Sequence, residues 1–194
     1  MAAKEPTLRQ VPPEILEELP HLKDMFAFLY NPHEESDRGL VVGCAALLDD
    51  FLRTLIISYL VDNASSSALL EGGNAPLGSF SAKIDMAHAL GLISDDSRVE
   101  AHNIRRIRND FAHKYAISLS DDSPRDRCNN LLFGLVSLDH SDEASHGPRD
   151  HLISATACLL LNWSWVPRRA QENRLTPMDR ETITPKNWNS PREN

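Results

Sequence analysis

Residues 102–115 read HNIRRIRNDFAHKY, and the spacing inside that stretch decides how the rest of the chain folds. Ile104, Ile107, Phe111 and Tyr115 recur at intervals of three and four, which predicts one apolar face of an α-helix. His102, Arg106, Asn109 and His113 form the opposite stripe, with Arg105 and Asp110 at its edges. Ser94 followed by Asp95 and Asp96 supplies a helix start, a capping hydroxyl with acidic groups at the positive end of the helix dipole. Arg108 belongs to neither face. It lies about 140° round an ideal helix from His113, beside the apolar residues. The expectation is therefore a buried stem and a carboxylate partner, for which Asp49 or Asp50 is the obvious supply.

The neighbouring segments are helical by the same argument. From about residue 34 to 62, Val41, Cys44, Leu48, Phe51, Leu52, Leu55 and Tyr59 make one wide apolar face, and Ala46, Leu47, Ile56, Ile57 and Leu60 cover much of the rest. A helix apolar on most sides belongs in the middle of a bundle or at a subunit interface. An earlier helix is predicted from Ile15 to Leu29, kinked by Pro20 and stopped by Pro32. Residues 63–76 read as a Ser- and Gly-rich linker with one turn near Leu69. A helix from Ser79 to Leu90 should end at Gly91, the residue suited to a left-handed cap. Ser123 and Pro124 should open a helix to about Leu138, and Pro148 another to about Trp165, because Pro167 disfavours helical backbone at Val166. The prediction is an all-α chain, a single bundle of about six helices over residues 13–167. A flexible arm (1–12) precedes it, and a disordered, Pro-rich tail (168–194) follows.

Composition narrows the class. Hydrophobic residues make up 41% and charged residues 25% of 194, enough for a packed core of ordinary kind. The formal charge of −8 has the wrong sign for a protein that coats DNA, whose affinity comes from cations replacing counterions. Cys44, Cys128 and Cys158 are too far apart for a zinc knuckle or a redox pair and read as buried thiols. A membrane span over residues 40–61 would bury Asp49, Asp50 and Arg53 in lipid, so the reading is no membrane. With no leader pattern at the N-terminus, the expected compartment is the cytoplasm.

Four blocks, in order, resemble the mannitol operon repressor (MltR) family: AALLDDFL at 45–52, APLGSFSAKI at 75–84, ALGLI at 89–93 and IRNDFAH at 107–113. The resemblance covers Gly39 to Leu119, about 80 residues of the chain. The resemblance implies an all-helical regulator of transcription. The Arg-Asn-x3-His pattern of Arg108, Asn109 and His113 is also similar to the signature of the HEPN superfamily, small helical bundles that dimerise and often cleave RNA without metal. That resemblance implies a HEPN-like bundle, with His113 as acid/base, Arg108 on the phosphate and Asn109 orienting. The chemistry is sound, since an imidazole near its ordinary pKa moves protons and a guanidinium stabilises phosphoryl charge. The competing reading is structural: Arg108 ties helices together, and Asn109 and His113 are its hydrogen-bonded neighbours.

Other motifs are weaker. Ala87 and Gly91 have the spacing of a helix-turn-helix, but its second helix would present Asp95 and Asp96 to DNA and place Ser97 and Glu100 at apolar packing positions. Gly72-Gly73 lacks the Lys and Ser/Thr of a phosphate loop. His140, His146 and His151, with Asp139, Asp142 and Asp150, fit no compact metal pattern, and no metal or cofactor is expected. Trp163 and Trp165 read as core or subunit anchors. The expectation is a regulator acting through protein contacts as a homo-oligomer with a protein partner. His102, Arg105, Arg106 and Asp110 would form the contact surface. A HEPN-type ribonuclease or RNA-binding protein is the alternative, and direct DNA binding is disfavoured.

Overall fold

The computed structural model describes residues 28–29, 35–134 and 147–178. They form seven helices and no strand. The arm at 1–12 and most of the helix expected before Pro32 lie outside the described residues; Phe28 and Leu29 are helical.

Helix α1 (Asp37–Tyr59) is the axis of the molecule. The Ser36 hydroxyl accepts from the Gly39 N–H at 3.0 Å, and Asp37 sits in the positively polarised first turn. Leu40, Leu48, Leu52, Leu55 and Ile56 are fully buried, and each such side chain contributes about 1.5–3 kcal/mol. Helices α3 (Phe80–Ala89), α4 (Asp95–His113), α6 (Pro148–Ser164) and α7 (Val166–Glu172) all pack against α1. The all-round apolar pattern thus corresponds to a central position in one bundle.

Helices α3 and α4 follow the sequence reading closely. Ser79 and Ser94 cap them through the Ala82 and Ser97 N–H groups. Between them Gly91 adopts φ +70°, which frees the Leu92 N–H to bond the Ala87 carbonyl at 2.9 Å. The apolar face of α4 is shorter than expected. Ile104, Ile107 and Phe111 are fully buried, but Lys114 turns to extended backbone and Tyr115 is 100% exposed. The Arg38 guanidinium terminates the helix by donating to the Phe111, Lys114 (2.7 Å) and Tyr115 (3.0 Å) carbonyls, over the Phe111 ring.

Three expectations are corrected. The linker after α1 contains α2 (Ala64–Leu70), started by the Asn63 side chain accepting from Ser66 N–H and anchored by Leu70, 6% exposed. Tertiary burial of one leucine overrides three serines of modest helix propensity. The next helix, α5 (Asp122–Asn129), begins after Asp121 rather than at Ser123 and stops nine residues short of Leu138; residues 135–146 lie outside the description. Finally, Pro167 starts a helix instead of ending the fold. It occupies the first turn of α7, where a missing N–H costs nothing. Ala170 is buried, and beyond α7 the Leu175 N–H bonds Tyr59 O at 2.9 Å while Arg174 Nε bonds Leu60 O at 2.8 Å. Residues 168–178 are therefore fastened to the end of α1; residues 179–194 lie outside the description.

Candidate functional site

The outer face of α4 runs beside α1 and the start of α3, and the three enclose an open groove of about 480 Å³. Helix α1 contributes Val42, Ala45, Ala46 and Asp49, the start of α3 contributes residues 78–81, and α4 contributes Arg105, Arg108 and Asn109. Helical spacing accounts for the last set: positions 105, 108 and 109 fall within about 100° of one another on an ideal helix, with Arg108 next to the apolar side of Ile104, Ile107 and Phe111 and Asn109 farthest from it.

The expected partner of Arg108 is a different residue. Lys83 of α3 is buried, and its Nζ lies 2.8 Å from both carboxylate oxygens of Asp49. A buried ammonium without a counter-charge is far more costly than an exposed guanidinium without one, so Lys83 takes the carboxylate. Asp50 is exposed, on the outside of α1. Arg108 is itself exposed and donates to its neighbour Asn109 Oδ1 at 3.2 Å. Its expected role as a buried tie between helices is not what the geometry provides.

Arg105 and Arg106 of α4 are held in the same way, by neutral groups. Arg106 donates to Asn103 Oδ1 at 2.7 Å, and Arg105 Nε donates to His102 Nδ1 at 3.3 Å. An arginine Nε can only donate, so His102 Nδ1 is the unprotonated nitrogen and Nε2, 3.1 Å from Asp85 Oδ1, carries the hydrogen. Asp85 also receives Arg98 through Nε (2.9 Å) and a terminal nitrogen (2.7 Å). Burial alone would raise the Asp85 carboxyl; the hydrogen bonds of Arg98 and His102, with the charge of Arg98, outweigh it and hold the group below the usual carboxylate value. Asp85, His102 and Arg105 thus form a chain from α3 to the groove.

The remaining predicted site residues separate. Asp110 joins α4 to α5 through Arg127 Nε at 3.1 Å and does not line the groove. His113 is exposed in the last turn of α4 and also lies off the groove. Arg108 lines this groove and His113 does not.

A second buried charge sits on the inner side of α4, in line with its apolar residues. Glu100 is fully buried and accepts the Leu132 and Phe133 N–H groups at 3.0 and 2.9 Å. Desolvation raises its carboxyl, only partly offset by those two bonds. Ser97, buried as well, bonds Ser94. The polar positions that argued against a helix-turn-helix are satisfied inside this bundle, while Asp95 and Asp96 remain exposed at the start of α4. Cys44 and Cys128 are buried, their thiols pushed up to about 12 by desolvation, and Cys158 is half-buried. Trp163 is in the core and Trp165 is 53% exposed. Of the loop histidines only His151 is described, buried on α6. No group of three or more potential metal ligands occurs among the described residues, and no described helix is long and apolar enough to cross a membrane.

No family model and no curated protein matches the chain. Among solved structures, a chain in the X-ray structure of the MtlR–HPr complex from Escherichia coli is similar. The identity is 15%, the match covers 82% of this chain and 97% of that one, and the TM-score is 0.48.

Proposed function

We propose that the protein is a regulator of the MltR kind, acting in transcriptional control by binding another protein rather than by reading DNA. The observation that carries this is the state of the three arginines in the second half of α4, Arg105, Arg106 and Arg108. By contrast Arg98 in the first turn of the same helix, and Arg53, Arg125 and Arg127 on α1 and α5, hold carboxylates, and Arg38 of α1 holds carbonyl oxygens. Arg105, Arg106 and Arg108 hold only His102, Asn103 and Asn109 among the described residues. In a chain of formal charge −8, cations that fold without neutralisation are available to meet an outside group. The four sequence blocks that resemble the MltR family include this helix and the α1 wall opposite it.

The test is affinity capture of the tagged full-length protein from its own cells after cross-linking, with an Arg105→Glu/Arg108→Glu variant in parallel. Recombinant HPr, the protein crystallised with MtlR from E. coli, serves as one purified bait. A partner held by the wild type and lost by the variant is the expected result. No partner for either protein, together with RNA cleavage in EDTA that His113→Ala abolishes, would replace this reading with the ribonuclease.

A further inference from the structure

Resting on that reading, we propose that the groove between α1 and α4 seats an acidic segment of the partner protein. A carboxylate would lie on Arg105 and Arg108, and an adjoining apolar side chain on Val42, Ala46 and Phe80. Arg105 and Arg108 are three residues apart on one helix face, so their Cβ atoms are about 5–6 Å apart and both guanidinium forks can reach one oxyanion. Lys83 already neutralises Asp49 on the opposite wall, so the two arginines are the surplus charge of the groove. The first turn of α3 lies along the rim and adds partial charge of the same sign.

An arginine–carboxylate pair in open water contributes little, so the apolar wall matters. Val42 is 46% exposed, Ala46 is exposed, and both line the groove beside the arginines. Burying them under an apolar residue would exclude water from the ion pair. A bare phosphate leaves that wall uncovered. A nucleic acid would also run beyond the groove over an acidic surface, and at physiological salt, where charges are felt over about 8 Å, it would meet repulsion there. A short acidic peptide feels the arginines alone.

Panning a phage-displayed library of random dodecapeptides on the full-length protein tests this, with the selected peptides remeasured by fluorescence polarisation. Enriched sequences should carry Asp or Glu next to Leu, Ile, Val or an aromatic residue. Their affinity should fall about tenfold or more in Arg105→Glu and in Arg108→Glu, less in Val42→Asp, and stay unchanged in the surface control Arg125→Glu. Circular dichroism should show all four variants folded. Failure to enrich acidic peptides, retention of binding by Arg108→Glu, or displacement by single-stranded RNA or inorganic phosphate at equal concentration would overturn the proposal. If capture finds a protein partner while panning selects basic or purely apolar peptides, the partner-binding reading stands and only the acidic chemistry falls.

Discussion

Helix α4 carries two kinds of charge, and its inner and outer faces treat them in opposite ways. On the inner face Glu100 is fully buried, and each of its carboxylate oxygens accepts a backbone N–H, from Phe133 or Leu132. On the outer face Arg105, Arg106 and Arg108 keep their charges in or near water with neutral partners. A charge closed off by backbone donors holds the chain in shape, because removing it strands those donors. A charge left with neutral neighbours costs the fold nothing when it changes. The two faces should therefore separate stability from binding.

The largest expected effect is on the inner face. Glu100→Ala leaves the Leu132 and Phe133 N–H groups buried without acceptors and opens a small cavity. The cost should be about 2–4 kcal/mol in urea unfolding. The sign of the pH dependence is a second check. The folded carboxyl is raised above its ordinary value of 4.5, so the native state holds the proton more tightly than the unfolded one. The Glu100 contribution is full below that value and is lost as pH rises through the folded value. Its removal should flatten the unfolding free energy on the weakly acidic side of neutrality; an unchanged pH profile would mean that Glu100 is not desolvated.

Asp37 gives a smaller effect of opposite sign. It accepts from the Leu119 N–H and the Ser118 hydroxyl, each at 2.9 Å, and pairs with Arg149 at the start of α6. Burial would raise its carboxyl, but these partners outweigh it and hold the group below 3.8. The stability it supplies is therefore present above that value and is lost as pH falls through the lower, folded one. Water can reach this site and replace part of the network, so Asp37→Ala should cost about 1–2 kcal/mol at neutral pH. Acid titration of the two proteins, followed by circular dichroism, should show the wild type losing this advantage below about pH 4.

The contrast between the faces also marks how far the sequence could be read. Periods of three and four place α1, α3 and α4 and put Asn109 in the polar stripe with Arg105 at its edge, because those relations are local; that Arg108 joins them in one groove depends on α1 and the start of α3. Glu100 falls in line with Ile104, Ile107 and Phe111, but nothing local says what satisfies its carboxylate until the chain returns to it 32 residues later. Lys83 and Asp49 are 34 residues apart, and nothing in either helix says that they meet. That is why spacing alone offers Asp49 or Asp50 to Arg108. Pro167 misled for another reason. A proline one position after a helix stop is also a proline in a first turn, and burial of Ala170 decides between them.

The smallest expected stability effect belongs to the groove arginines, and it is the sharpest use of the comparison. Arg108 is exposed and holds only the side chain next to it. Arg108→Glu strands no buried donor or acceptor, and its unfolding free energy should lie within about 0.5 kcal/mol of the wild type. Arg105→Glu should cost slightly more, because His102 Nδ1 loses its donor; Arg105→Gln, which still carries an N–H donor, should restore part of that difference. A loss as large as that of Glu100→Ala would make these arginines structural and remove the basis for a binding face. With stability preserved, any loss of partner binding in the same variants belongs to the groove itself, since the inner face that holds α4 in place is untouched.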